Sequence, residues 1–152
     1  MKPRIEYLKV APAAIKAVAA LEGYVRGSGL EPSLWQLVKI RASQINGCAY
    51  CIHMHTRDAR AEGESEERLY LLSAWRESPL YSERERAALE WTEALTQISE
   101  TRAPDDVFER VRRQFTEEEL VNLTVGVGTI NVWNRIATGF RSVHPVTQRR
   151  AA

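Results

Sequence analysis

The stretch Asn46-Gly47-Cys48-Ala49-Tyr50-Cys51-Ile52-His53-Met54-His55 decides how the rest of the chain is read. Glycine enters the left-handed backbone region without steric cost, so Asn46-Gly47 reads as the end of one helix. The residues before it, Leu34, Leu37, Val38 and Ile45, are spaced as an apolar helical stripe. Those after it keep helical spacing toward residue 62. Cys48 therefore opens a second helix. Thiols at a helix start meet unpaired backbone N–H groups and the positive end of the helix dipole, which lowers their pKa and favours thiolate.

At about 100° of rotation per residue, Cys48 and His55 each fall within roughly 60° of Cys51. All three share one helix face. His55 stands one turn beyond Cys51, where an imidazole can accept the thiol proton or pair with the thiolate. The spacing of the two cysteines also permits a disulfide, so one can attack and the other resolve. A structural zinc site needs four ligands, and His53 projects from nearly the opposite side of the helix. The sequence offers no second CxxC and no HxxxH, and it shows no glycine-rich phosphate loop and no flavin or nicotinamide fingerprint. We therefore expect no metal and no cofactor. A thioredoxin fold would need strands flanking the motif, and none is indicated.

Helical spacing extends along the rest of the chain. Ala87, Ala88, Trp91, Ala94, Leu95 and Ile98 form a core-facing stripe, and Ser82 with Glu85 is a capping-box signature at its start. Thr116 with Glu119 repeats that signature before the long apolar run 120–140, and Pro104 suits the first turn of a shorter helix. The pattern predicts an all-α fold, one compact domain over 1–152. Seven helices are expected, near 11–27, 33–46, 48–62, 65–77, 83–99, 104–114 and 117–138, with the CxxC at the N-terminus of a central one. Gly126 and Gly128 weaken the last helix but allow close backbone approach, which places it deep in a core or at a subunit interface.

The 152 residues carry 21 Lys and Arg against 20 Asp and Glu, with the signs interleaved. Such a balance excludes a nucleic-acid or membrane-surface role, which requires a basic patch. The apolar stretch 10–25 is broken by Lys16 and Glu22, so it is neither a signal peptide nor a membrane span. The expected location is the cytoplasm. Thiol buffers there keep structural disulfides rare, so a CxxC points to catalysis, redox sensing or metal rather than stapling.

The run from Gln36 to Cys51, Gln36-Leu37-Val38-Lys39-Ile40-Arg41-Ala42-Ser43-Gln44-Ile45-Asn46-Gly47-Cys48-Ala49-Tyr50-Cys51, followed by His55-Thr56-Arg57-Asp58-Ala59-Arg60, resembles the AhpD-like branch of the carboxymuconolactone decarboxylase family. The resemblance is specific from about Leu34 to Trp75 and looser beyond Ile98. It implies an all-helical subunit assembled as a homotrimer or hexamer, with peroxidase activity against organic hydroperoxides and an external thiol or disulfide reductant protein. The cysteine matching Cys51 attacks the peroxide in that family, and the one matching Cys48 closes the disulfide. A histidine matching His55 and a glutamate twelve positions before the first cysteine complete a proton relay.

That glutamate position is Gln36 here. Glutamine can hydrogen-bond an imidazole but cannot hold a charge or accept a proton at neutral pH. The thiolate fraction of Cys51 is expected to fall, and Gln36→Glu to raise it. Asp58, one turn beyond His55, is a candidate for the missing charge; its alternative fate is pairing with an arginine. Two other functions stay open: a redox sensor or scaffold with little turnover, and lactone decarboxylation, which needs no thiol pair. By periodicity alone Gln36 points to solvent; only the resemblance, with Ile40 and Ser43 on its side, turns that face toward the thiol helix. His53 reads as a surface or interface residue and His144 as part of a mobile C-terminal segment. The four tryptophans read as packing residues. Asn131, Asn134 and Arg135, on an otherwise apolar helix, need partners and are assigned to the subunit interface.

Overall fold

The computed structural model describes residues 1–146. Among them are nine α-helices and no strand: α1 Tyr7–Val10, α2 Pro12–Arg26, α3 Pro32–Ile45, α4 Ala49–Ala61, α5 Glu66–Leu71, α6 Glu83–Thr96, α7 Ile98–Thr101, α8 Asp105–Arg112 and α9 Glu117–Gly139. A 3-10 helix, Leu72–Glu77, follows α5. No helix among the described residues is long and apolar enough to cross a membrane.

Both predicted capping boxes are present. Ser82 Oγ accepts from the Glu85 amide at 3.3 Å while a Glu85 carboxylate oxygen accepts from the Ser82 amide at 2.8 Å. Thr116 and Glu119 repeat the exchange at 3.2 and 2.8 Å. Each box satisfies two amides that the helix itself leaves without partners.

The predicted helix 65–77 divides at residue 72, and the kink lies at Ala74. The Tyr81 hydroxyl takes the Arg68 carbonyl that the Leu72 amide would need, and beyond the kink the Arg86 guanidinium takes the carbonyls of Trp75, Arg76 and Ser78 and so ends the helix. The predicted helix 83–99 stops at Thr96, and a separate turn, α7, ends in Arg102 and Ala103 with φ of 58° and 49°. Thr101 Oγ1 donates to Ala94 O at 2.6 Å, occupying a carbonyl of the last α6 turn.

Helix α3 is central, with α4, α6 and α9 packed around it, while α2 lies along α9. Every residue from Leu34 to Ile40 is buried. On one side of α3, Leu34, Trp35 and Val38 join Val25, Ala88, Trp91, Val111, Leu123 and Val127. On another, Leu37 and Ile40 join Ala59, Leu72, Trp75 and Leu89. Each such aliphatic side chain contributes about 1.5–3 kcal/mol on burial. At Gly126 the six-membered ring of Trp35 approaches so closely that a Cβ would sit 2.7 Å from it. The other glycine singled out on α9, Gly128, has open space around it.

Both ends of the described chain are tied down beside α4. The Arg4 amide donates to Phe140 O at 2.9 Å, and the Tyr7 hydroxyl and Ser142 Oγ lie 3.1 Å apart. His144, expected to be mobile, stacks on His53 with ring centroids 4.8 Å apart.

Candidate active site

The α3–α4 junction positions the thiols. Gly47 adopts φ +64°, turning the chain back so that the Cys48 amide donates to Ser43 O at 2.9 Å. Cys48 is the N-cap of α4, its sulfur accepting from the Cys51 amide at 3.4 Å. The two sulfurs are bonded, with the Cα atoms 5.4 Å apart. The pair is thus seen in its oxidised form, each cysteine only 2% exposed.

The turn is fixed from α9. Asn46 Nδ2 donates to both Asn131 Oδ1 and Asn134 Oδ1 at 2.9 Å, and Asn134 Nδ2 donates to Ser43 Oγ at 3.0 Å. Asn131 Nδ2 donates onward to Thr96 Oγ1, and Arg135 donates to Asn131 Oδ1. These polar residues find partners within the chain, where they hold the cysteine turn.

His55 lies on the same face of α4 as Cys51 and is buried, its Nδ1 without a hydrogen-bond partner. Burial pushes its pKa down to about 3, the Lys39 charge adding to the effect and Asp58 opposing it. The imidazole is therefore neutral at physiological pH, a proton acceptor and not a cation, while the disulfide is closed.

Gln36 is buried, contrary to its place in the apolar periodicity, because α4 covers that face of α3. Its Nε2 donates to both carboxylate oxygens of Glu62 at 3.1 Å, and its Oε1 has no partner. Gln36 and Glu62 line a cleft of about 440 Å³ that does not reach the cysteines. Cys51 and His55 open instead onto a cleft of about 380 Å³ whose walls include Tyr50, Met54, Trp133 and Ala137. Trp133, read as a packing residue, is part of this wall. Asp58 lines this cleft without a hydrogen bond to His55, and its carboxylate accepts from Arg57 at 2.8 Å.

Lys39 lines the same cleft and was missed by sequence reasoning. Its side chain is 3% exposed, with Nζ 3.7 Å from Glu22 Oε1 and 5.3 Å from the centroid of Trp35. Burial lowers its pKa, with Glu22 the first of the groups opposing the shift. The available signal was a charged residue inside the apolar run Leu37-Val38-Lys39-Ile40. Among the described residues no group of three or more His, Cys, Asp or Glu side chains is placed to hold a metal ion.

Residues 12–94 match the profile of the carboxymuconolactone decarboxylase family. The chain is 45% identical over 137 residues to the uncharacterized protein YdfG of Bacillus subtilis, covering 90% of this chain and 93% of that one. A crystal structure from Agrobacterium tumefaciens, of a protein of unknown function provisionally assigned as the antioxidant defence protein AhpD, superposes with a TM-score of 0.94. That protein is 57% identical, over 96% of this chain and 100% of its own. An AhpD-core, peroxidase-related protein from Ralstonia eutropha, 20% identical, shares the fold with a TM-score of 0.77 over 88% of this chain and 72% of its own.

Proposed function

The chain belongs to the carboxymuconolactone decarboxylase family, as an AhpD-like member, and on that premise we propose that it is a thiol-dependent peroxidase reducing small organic hydroperoxides. The observation that carries this reading is the buried Cys48–Cys51 pair with His55 one turn on, opening onto a cleft with apolar and aromatic walls. The apolar wall suits an alkyl or aryl group, and the thiol helix start suits a nucleophile.

In the reduced protein the Cys51 thiolate attacks the outer peroxide oxygen. The S–O bond forms as the O–O bond breaks, and the leaving alkoxide takes a proton and departs as alcohol. His55 serves as the base that receives the Cys51 proton. Cys51 is left as a sulfenic acid. The Cys48 thiolate then attacks the Cys51 sulfur, forming the disulfide while the oxygen leaves as water. A dithiol reductant protein returns two electrons by thiol–disulfide exchange. Cytoplasmic location supplies such a reductant, and a homotrimeric or hexameric assembly completes the reading.

Replacing Cys51 by serine should abolish peroxide consumption, measured with cumene hydroperoxide and a dithiol. Replacing Cys48 by serine should leave a single sulfenic acid that dimedone traps. Turnover surviving in Cys51→Ser would overturn the assignment. A second reading, a redox sensor with reversible disulfide formation and little turnover, is favoured by one observation: the Gln36 amide is engaged by Glu62, and no carboxylate is hydrogen-bonded to His55 among the described residues. Disulfide formation without multiple turnover, under any of several reductants, would select it.

A further inference from the structure

We propose that Lys39 is the cation that stabilises the Cys51 thiolate in the reduced protein, in the place that an imidazolium or a carboxylate-backed histidine would otherwise fill. The inference rests on Cys51 being the reactive thiol of the proposed function.

Three observations lead to it. Lys39 emerges from the middle of the buried helix α3 and lines the cleft shared by Cys51 and His55. Its ammonium is poorly satisfied: Glu22 Oε1 stands at 3.7 Å, beyond hydrogen-bond reach, and Nζ makes no hydrogen bond among the described residues. The Glu22 end is equally loose, since its other carboxylate oxygen is buried without a partner. The molecule's other inward-facing cations are held differently. Arg41 meets Glu93 at 2.7 Å, and Arg84 meets Glu119 at 2.7 Å. A buried cation this weakly held is stabilised by a further anion in its cavity. With the disulfide closed the anions near Lys39 are Glu22, Asp58 and Glu62, none of them hydrogen-bonded to it, and the chemistry of the site creates a further one when the disulfide opens.

The charges around Lys39 come from two packed elements. Helix α2 presents Glu22 and Arg26, and helix α4 presents His55, Asp58 and Glu62. Arg26 disfavours the ammonium, whereas the three carboxylates favour it. Asp58 is shared with Arg57, and Glu62 with the Gln36 amide, so neither is devoted to Lys39. The Lys39 charge depresses the charged form of His55, so one positive charge, not two, is favoured in the cleft. The lysine, with the intrinsically higher pKa and a carboxylate nearby, is the better holder of that charge. On reduction Lys39 stays an ammonium beside the thiolate, while the Cys51 proton leaves by way of His55, which hands it on to the departing alkoxide. His55 is then left neutral, free to accept and return protons at the substrate.

Lys39 thus acts through Cys51 as a positioning residue, and its test reads the thiol directly. In a Cys48→Ser background of the full chain, the ultraviolet thiolate absorbance and the rate of iodoacetamide alkylation are followed against pH. Lys39→Met and Lys39→Gln should raise the Cys51 midpoint by about one unit or more, with alkylation at neutral pH slowed roughly tenfold. Lys39→Arg should restore the low midpoint. His55→Gln should leave the midpoint within a few tenths of the parent's. Folded Lys39 variants with an unmoved midpoint would overturn the proposal. If neither Lys39 variant folds, His55→Gln decides: a midpoint rising to that of free cysteine assigns the charge to histidine instead. No peroxide enters these measurements, so a failure of the peroxidase reading is seen separately as absent turnover with an intact thiol titration.

Discussion

Gln36 donates its side-chain amide to both carboxylate oxygens of Glu62, at 3.1 Å each, across the α3–α4 contact. The residue at the position where the resemblance implies a glutamate is therefore committed to a carboxylate of its own helix pair. A glutamate at 36 would set two carboxylates against each other, and one of them would retain a proton at neutral pH.

The expectation attached to Gln36→Glu accordingly moves to a double variant. Gln36→Glu alone should destabilise the protein by about 1–3 kcal/mol through a lost hydrogen bond and like-charge contact. It should leave the Cys51 midpoint little changed. Gln36→Glu with Glu62→Gln should recover the stability, by urea midpoint, and lower the Cys51 midpoint. A single variant that lowers the midpoint as far as the double would count against the Glu62 contact.

His55 makes the acid limb of the stability curve a direct readout. Its folded pKa, about 3, lies below the ordinary histidine value of 6.5 that applies when the chain is unfolded. Between those values the unfolded chain binds more protons, so stability rises with pH. The contribution is complete above about pH 6.5 and is lost as pH falls toward 3. Glu93, also held below the usual carboxylate range through Trp75, Arg76 and Arg41 despite its burial, adds a loss of the same sign at lower pH. For the oxidised protein, His55→Gln should flatten denaturation midpoints between pH 4.5 and 6.5, removing a slope worth about 2–4 kcal/mol.

Asn134 ties the cysteine turn to α9 through Asn46 and Ser43. Asn134→Ala removes two hydrogen bonds at a 1% exposed site and strands their partners, which should cost about 2–4 kcal/mol. The disulfide should also become more readily reduced, because the turn no longer holds the sulfurs in register. Denaturant midpoints and equilibrium with a glutathione redox series separate the two effects. An unchanged reduction potential would confine Asn134 to general stability.

Gly126→Ala places a methyl against the Trp35 ring, which cannot withdraw from the core without displacing Val25 or Val38. A loss of about 1–3 kcal/mol is expected, with the tryptophan emission altered. Gly128→Ala, with open space, should stabilise the same helix by a few tenths to about 1 kcal/mol. Equal effects of the two substitutions would show that helix propensity alone is at work.

The helical class and both capping boxes were legible in the sequence because they are local: a stripe of apolar residues and a four-residue exchange of hydrogen bonds need no knowledge of the rest of the chain. Cys48, Cys51 and His55 were legible for the same reason, since they lie on one helix. Gln36 and Lys39 were not, because periodicity recognises a helix with one wet face, and α3 is enclosed by α4, α6 and α9. Polar residues on such a helix read as solvent-facing until a second element is placed over them. The Glu22–Lys39 and Gln36–Glu62 partners are 17 and 26 residues apart, a relationship that no local pattern encodes. The splitting of the 65–77 helix escaped for a similar reason, since Tyr81 and Arg86, which take its carbonyls, lie outside it.

The opening segment, carrying Tyr7 and Leu8 into the thiol cleft, is latched to the far end of the chain by Arg4 and Phe140. With each sulfur 2% exposed, the two half-reactions make unequal demands on that latch. A peroxide no larger than an aromatic ring reaches the sulfurs by filling the cleft. A protein dithiol would have to bring its own sulfur into contact, past a cleft whose walls include Tyr7 and Leu8 of that segment. Under the proposed cycle oxidation and re-reduction would thus draw on different conformations of one subunit, and fastening the first ten residues in place should slow the second far more than the first.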